Sequence, residues 1–316
     1  MFYRSRIVVC SLLLSMMVTK ASAGDISPSF TLMSYNVWKG WSQVDDGFGK
    51  GIASIRESGA DVAGLQEASP ELAKRIASEL GWYCTEKSTG TAQLVSKFPI
   101  IESFDMERLT GARIRISAEP RRDIVVFNCH LDYLYYGPYA ATKTGATASS
   151  VLEEERKSAR ETQMQSMLEM MRPFFPSAAE TPVFLTGDFN GPSQLDWTDA
   201  CTSFHGNVGN VPWPASSLVL QAGFADSFRT AHPDPVREPG NTWSAIHKET
   251  EPQDRIDFTY HMGVGVKVTR STTFSTAVEA TEGAWTEAGV TSAVKKNTWP
   301  SDHLAVLTVY ALPPAK

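Results

Sequence analysis

A series of polar residues sits where apolar stretches of this sequence end. Asn36 closes TLMSYN, Glu67 closes VAGLQE, and His130 and Asp132 close VVFNCHLD. Asp188 and Asn190 follow VFLTG, Asp257 lies in DRIDF, and Asp302 and His303 open SDHLAV. Carboxylates and side-chain amides are oxygen donors for a hard divalent cation, and histidines move protons near neutral pH. Each residue alone also has a structural use. Asn and Asp end strands in turns, and a lone His is commonly a satisfied scaffold residue. The joint pattern is what points to a site, because strand-end loops are where a rigid sheet presents reactive groups.

Those residues need elements to hold them. Phe30 to Val37, Asp61 to Gln66, Ala92 to Ser96, Ala112 to Ser117, Asp123 to His130 and Val183 to Gly187 read as strands. Arg255 to His261, Val264 to Thr273 and Leu304 to Leu312 read as later ones. Phe48 to Ser58 is a short helix. Ser69-Pro70-Glu71 opens another, with Ser69 as cap, Pro70 at the first helical position and Gly81 just past the end. Ser150 to Met171 predicts the longest helix. Val151, Leu152, Met164, Met167, Leu168 and Met171 recur at helical spacing for a core face, and Pro173 is the expected stop. Residues 191–217 are rich in Gly and Pro and read as loops. Strands and helices alternate without a linker or a repeat, so one α/β domain covers the chain after its N-terminal segment.

That N-terminal segment is expected to be removed. Arg4 and Arg6 precede an apolar run from Ile7 to Val18, and Ala21-Ser22-Ala23 supplies a small-x-small cleavage signal. The run is short for a bilayer span, which takes about 20 residues. Residues 1–23 therefore read as a signal peptide, residues 24–316 as the domain, and the protein as exported to a periplasm or to the outside. No later segment reads as an integral membrane span, and a monomer is expected.

The 316 residues are 42% hydrophobic and 10% aromatic, which excludes a disordered or fibrous chain. The formal charge is −6, and without Arg4, Arg6 and Lys20 it is −9, from 26 basic and 35 acidic residues. This argues against a basic protein that coats nucleic acid or anionic membrane by charge alone. It leaves room for a local phosphate site. Of the 4 cysteines, Cys10 leaves with the signal, and Cys84, Cys129 and Cys201 remain. An odd number leaves at least one thiol outside any internal disulfide. Cys129 fits a buried strand, so Cys84–Cys201 is the expected pair if one forms.

The ordered set SYNVW, LQEA, NCHLD, LTGDFN, RIDF and SDHLAV resembles the endonuclease/exonuclease/phosphatase superfamily, from about Leu32 to Val309. The resemblance implies a four-layer α/β sandwich, two packed mixed sheets flanked by helices, with the site at one end. It implies that Glu67, Asn36 and Asp302 serve the metal side. It implies that Asp188 and Asn190 orient water and contact the phosphoryl group. His303 would be general base or phosphate ligand, with Asp257 as its carboxylate partner. His130 matches a histidine that in deoxyribonuclease I-like members pairs with an upstream glutamate. Ser88 to Val95 offers no carboxylate here, and Asp132 is the remaining candidate to orient His130.

This donor set suits a phosphoester. Few, oxygen-rich ligands favour Mg²⁺, with Mn²⁺ or Ca²⁺ as alternatives, whereas zinc would want more His and Cys. Asp257 bonded to His303 would fix its tautomer, and His130 and Asn190 would donate to developing oxyanion charge. The substrate is open among a small or lipid-derived phosphoester and nucleic acid, with an exported, non-catalytic binding protein as the third reading. The most distinctive local feature is the aromatic run Tyr133, Leu134, Tyr135, Tyr136, Gly137, Pro138, Tyr139 after His130. It could stack bases, pack on sugar or lipid, form a lid, or simply fold onto the sandwich. Trp38, Trp41, Trp213, Trp243, Trp285 and Trp299 also fall near the motifs, as pocket walls or as anchors.

Overall fold

The computed structural model describes residues 28–86, 88–276, 285–286 and 289–314. The expected signal peptide, residues 1–23, lies outside them. The strands in chain order are β1 (Ser29–Asn36), β2 (Val62–Gln66), β3 (Tyr83–Cys84), β4 (Gln93–Ser96), β5 (Ile100–Met106), β6 (Leu109–Ser117) and β7 (Arg122–His130). They continue as β8 (Val183–Asp188), β9 (Ala225–Asp226), β10 (Asp257–Met262), β11 (Lys267–Phe274), β12 (Trp285–Thr286), β13 (Gly289–Val290) and β14 (Ala305–Ala311). Two mixed six-stranded sheets result, one ordered β11-β14-β1-β2-β4-β3 and the other β5-β6-β7-β8-β10-β9. In each, one central pair is parallel, β1 with β2 and β7 with β8.

The period of two along the central strands builds the layers. On β1, Met33 and Tyr35 face outward, where the helices Gly47–Ser58 and Pro70–Leu80 bring Ile52, Ile55, Ala73 and Ile76 against them. On β7 and β8, Val125, Phe127, Val183 and Leu185 face outward, against Met164, Met167 and Met171 of the helix Arg160–Met171. The alternate residues face between the sheets. Phe30, Leu32, Val62, Ile124, Val126, Phe184 and Tyr310 make that middle core.

The middle layer changes character along its length. Ser34, Gln66, Asn128 and Thr186 follow the apolar residues on the same faces and are fully buried. They hydrogen-bond to one another within and between the sheets, with Gln66 Oε1 left without a partner. Gln66 Nε2 donates to Asn128 Oδ1 at 2.6 Å, Thr186 Oγ1 donates to the same oxygen at 3.0 Å, and the Gly187 N–H donates to Ser34 Oγ at 3.1 Å. A Cβ on Gly64 would lie 2.1 Å from Thr186 Oγ1, so this glycine sets how closely the sheets approach. One step further along, the same inward faces carry Asn36, His130, Asp188 and Asp257. The apolar-to-polar gradient along the strands thus places the site at one end.

Several local expectations hold in detail. Ser69 Oγ accepts the Leu72 N–H at 3.2 Å, and Gly81 ends that helix at φ 68°. Others are corrected. Ser150 to Met171 is two helices, Ala148–Glu155 and Arg160–Met171, not one. Asp132 causes the break: its Oδ2 accepts the Ala159 N–H at 3.0 Å and holds the start of the second helix from outside. The α-helix does end at Met171, as Pro173 led to expect, and a 3-10 segment, Arg172–Ser177, carries the chain on with Pro173 in its first turn, where no amide donor is needed. A helix, Pro214–Gln221, begins within the stretch read as loops. Cys84, Cys129 and Cys201 are all free, which overturns the Cys84–Cys201 pairing. Cys84 is on an edge strand of the first sheet, and Cys201 is buried in a turn beyond the second.

Candidate active site

Asn36 is at the centre of the polar end. Its Nδ2 donates to Asp188 Oδ2 at 2.8 Å and Glu67 Oε1 at 3.2 Å, and lies 3.5 Å from His303 Nε2. Its Oδ1 accepts the Trp38 N–H at 2.9 Å. Asn36 therefore turns its amino group on the acids and fixes them. Glu67, at φ 58°, follows β2 and is held by the Lys39 N–H on Oε2 at 2.6 Å. Asp188 ends β8, and its Oδ1 accepts the Asn190 N–H at 2.8 Å. Asn190 Nδ2 donates to the Leu131 carbonyl at 3.1 Å, tying the two loops together.

His303 and Asp257 form a buried pair, Nδ1 to Oδ2, at 2.8 Å. Thr242 Oγ1 receives the Asp257 N–H at 3.1 Å, and the His303 N–H donates to Ser301 Oγ at 3.1 Å. Ser301 Oγ in turn donates to the Asn36 carbonyl at 2.6 Å, and Trp299 Nε1 to the His303 carbonyl at 2.7 Å. His303 Nε2 is left facing Asp188 Oδ2 at 3.8 Å. Burial disfavours the imidazolium, but Asp257 and Asp188 outweigh it and hold the ring's pKa well above the usual value. Burial pushes the Asp257 carboxyl up, with His303 opposing.

His130 Nε2 stands 3.7 Å from Asp188 Oδ2, and its Nδ1 is 3.5 Å from Thr91 Oγ1. A hydroxyl thus stands where the resemblance implied a carboxylate. Asp132 does not orient His130. Its carboxylate receives the Leu134 and Ala159 N–H groups instead. Thr91, Thr242 and Ser301 were not singled out from the sequence, since isolated hydroxyl residues carry no spacing signal.

Asp302 is buried beside Glu67. Burial, with Glu67 adding to it, pushes its carboxyl up to about 7, and its Oδ1 has no hydrogen-bond partner. An orphaned, buried carboxylate oxygen next to a second carboxylate fits an oxygen-ligated divalent cation. Ligand atoms of Asp188, Asp257 and His303 also lie within 4.8 Å of one another. The residues present therefore suit a divalent metal, with Glu67 and Asp302 on the side that has an unused oxygen.

Above this floor is a cleft of about 360 Å³. Trp38, Tyr133, Tyr136, Tyr139 and Trp243 line it together with Lys39, Glu67, Asn190, Ile256, Asp302 and His303. The aromatic run after His130 is thus in large part cleft wall. Trp41, Trp213 and Trp299 are core anchors, and the side chain of Trp285 lies outside the described residues. Arg160, fully buried, fixes the run from beneath: it donates to the carbonyls of Asp132, Leu134 and Tyr135, each at 2.8 Å, and pairs with Glu155.

Residues 33–303 match the Endonuclease/Exonuclease/phosphatase family. An uncharacterized Caenorhabditis elegans protein is 29% identical over 314 residues, covering 95% of this chain and 96% of that one. TDP2 of D. rerio, solved with a single-strand DNA product, superposes with a TM-score of 0.54 at 15% identity, covering 90% of this chain and 99% of that one. A mannosyl-6-phosphatase of Bacteroides thetaiotaomicron superposes with a TM-score of 0.53 at 15% identity, covering 90% and 100%. At such identity the structural likeness is one of fold.

Proposed function

The chain belongs to the endonuclease/exonuclease/phosphatase family, whose members are hydrolases acting on phosphoesters, and on that premise we propose an exported, divalent-metal-dependent hydrolase of a small or lipid-derived phosphoester. The observation that carries the reading is the complete polar floor: Asn36, Glu67, His130, Asp188, Asp257, Asp302 and His303 converge under one cleft. Mg²⁺ is the favoured ion, with Mn²⁺ or Ca²⁺ as substitutes, and when bound it would polarise a phosphoryl oxygen and offset charge on the leaving oxygen.

The chain's own groups divide the remaining work. Glu67 and Asp302 would hold the ion, and Asn36 fixes Glu67 and Asp188. Asp188, its Oδ1 occupied by the Asn190 N–H, keeps Oδ2 toward the reacting space to orient a water and take its proton. Asp257 fixes His303 with Nε2 toward the same space. A protonated His303 donates from Nε2 to phosphoryl oxygen, and His130 adds a second donor. The aromatic walls limit water around the ester.

Export is part of the proposal and rests on residues 1–23. Secreted protein starting near Gly24 by mass spectrometry would support it, and retention with an intact N-terminus would not. For the chemistry, bis-p-nitrophenyl phosphate, sphingomyelin and plasmid DNA are offered with Mg²⁺ and with EDTA. We expect metal-dependent turnover of the small ester, lowered on the order of 10²–10³-fold by Glu67→Ala. DNA nicking without small-ester or lipid turnover would make the protein a nuclease. No turnover of any substrate would leave a binding protein.

A further inference from the structure

We propose that the aromatic wall of the cleft recognises a cation, so that the substrate is a phosphoester whose esterifying alcohol carries a quaternary ammonium close to the phosphorus. The inference rests on the phosphoester reading above and names the substrate class of that site.

The geometry is that of a corner. Tyr136 stands nearly perpendicular to Tyr139, with centroids 5.4 Å apart at 80°, and to Trp243, at 5.4 Å and 84°. The Trp243 ring is 6.5 Å from the His303 ring, so the corner begins one ring's width from the reacting end. A nucleobase uses a flat platform or two parallel faces. A cation instead gains from every ring face it meets, whatever their mutual angle, and a quaternary ammonium adds methyl contacts to the charge.

The electrostatics behind the rings act in the same direction. Tyr136 Oη donates to Asp254 Oδ2 at 2.9 Å, and Tyr139 Oη donates to Glu251 Oε2 at 2.5 Å. A carboxylate accepting from a phenol pushes electron density into the ring and makes its face a better partner for positive charge. The two acids also supply the negative field themselves. Apart from His303 at the reacting end, Lys39 is the one basic side chain among the described residues lining the cleft. A polyanion, with a phosphate on either side of the scissile one, would want several. A zwitterionic ester needs none, since its own ammonium balances its phosphate.

The test compares p-nitrophenylphosphorylcholine with p-nitrophenyl 3,3-dimethylbutyl phosphate, which replaces the charged nitrogen by carbon at the same shape. We expect kcat/KM to favour the charged ester on the order of tenfold, chiefly through KM. Tyr139→Ala and Tyr133→Ala should bring the ratio toward one. Tyr139→Phe, which keeps the ring and loses only the contact to Glu251, should retain most of it. A ratio of one in the unaltered protein overturns the assignment. So does a preference for the p-nitrophenyl ester of thymidine 5′-phosphate over both, which would mean base stacking. Tetramethylammonium is also titrated against the intact protein by tryptophan fluorescence. Saturable binding weakened by Tyr139→Ala supports the assignment without any turnover, and no binding overturns it. Turnover of bis-p-nitrophenyl phosphate, run alongside, separates the two claims. Its absence defeats the hydrolase reading, whereas its presence with a charge-blind ratio defeats only the cation site.

Discussion

Asp257→Asn isolates the charge behind His303. Asp257 Oδ2 accepts from Nδ1 at 2.8 Å, and both side chains are buried. The centres of carboxylate and imidazolium charge are farther apart than these two atoms. At about 4 Å and an effective dielectric constant near 20, their attraction is ~4 kcal/mol. The amide keeps the shape and removes that term, while one neutral hydrogen bond restores about 1 kcal/mol. A net loss near 3 kcal/mol corresponds to about a hundredfold fall in kcat/KM at roughly 1.4 kcal/mol per decade. If the amide turns its Nδ2 toward the ring, His303 shifts its proton to Nε2 and the fall is larger. The assay is steady-state hydrolysis of bis-p-nitrophenyl phosphate together with thermal unfolding, on Asp257→Asn, His303→Ala and the double variant. If Asp257 acts through His303, the double variant is no worse than His303→Ala. Additive losses, or an Asp257→Asn rate within threefold of the unaltered protein at equal Tm, would refute the argument.

Arg160→Ala should cost about 3–5 kcal/mol in urea unfolding, because it strands Glu155 as a buried, unpaired charge, and it should raise KM by loosening the Asp132–Tyr135 carbonyls; an unchanged midpoint would count against the clamp. His205 is half-buried, stacked on Trp197 at 4.1 Å, and its partial burial lowers its pKa from 6.5 to about 4. The unfolded chain therefore binds a proton below pH 6.5 that the folded chain refuses until about pH 4, so stability is lost as pH falls across that window, by up to ~3 kcal/mol. His205→Phe keeps the stacking and removes this titration. Its stability should gain on the unaltered protein between pH 7 and pH 4, and parallel curves would show that His205 does not titrate as described.

The sequence by itself determined the layers and the roster of the candidate site. Period-two strands with one polar residue at the end state which faces are buried and where each strand stops. The capped helix from Pro70 was legible because Ser69, Pro70 and Gly81 act through bonds within a few residues. Ser150 to Met171 failed as one helix for the opposite reason. Its spacing reports a buried face, and the break is imposed by Asp132, distant in sequence and adjacent in space. The same contact explains why Asp132 is not the partner of His130, whose ring meets Thr91 from another strand's approach. Tertiary structure alone decided the rest. It set the 2.8 Å pairing of residues 257 and 303, separated Cys84 from Cys201, stationed Thr242 behind Asp257 and Ser301 behind His303, and stood Tyr136 at right angles to Tyr139 and Trp243. Periodicity says that a side chain is buried. The approach of the two sheets, limited at Gly64, decides against what.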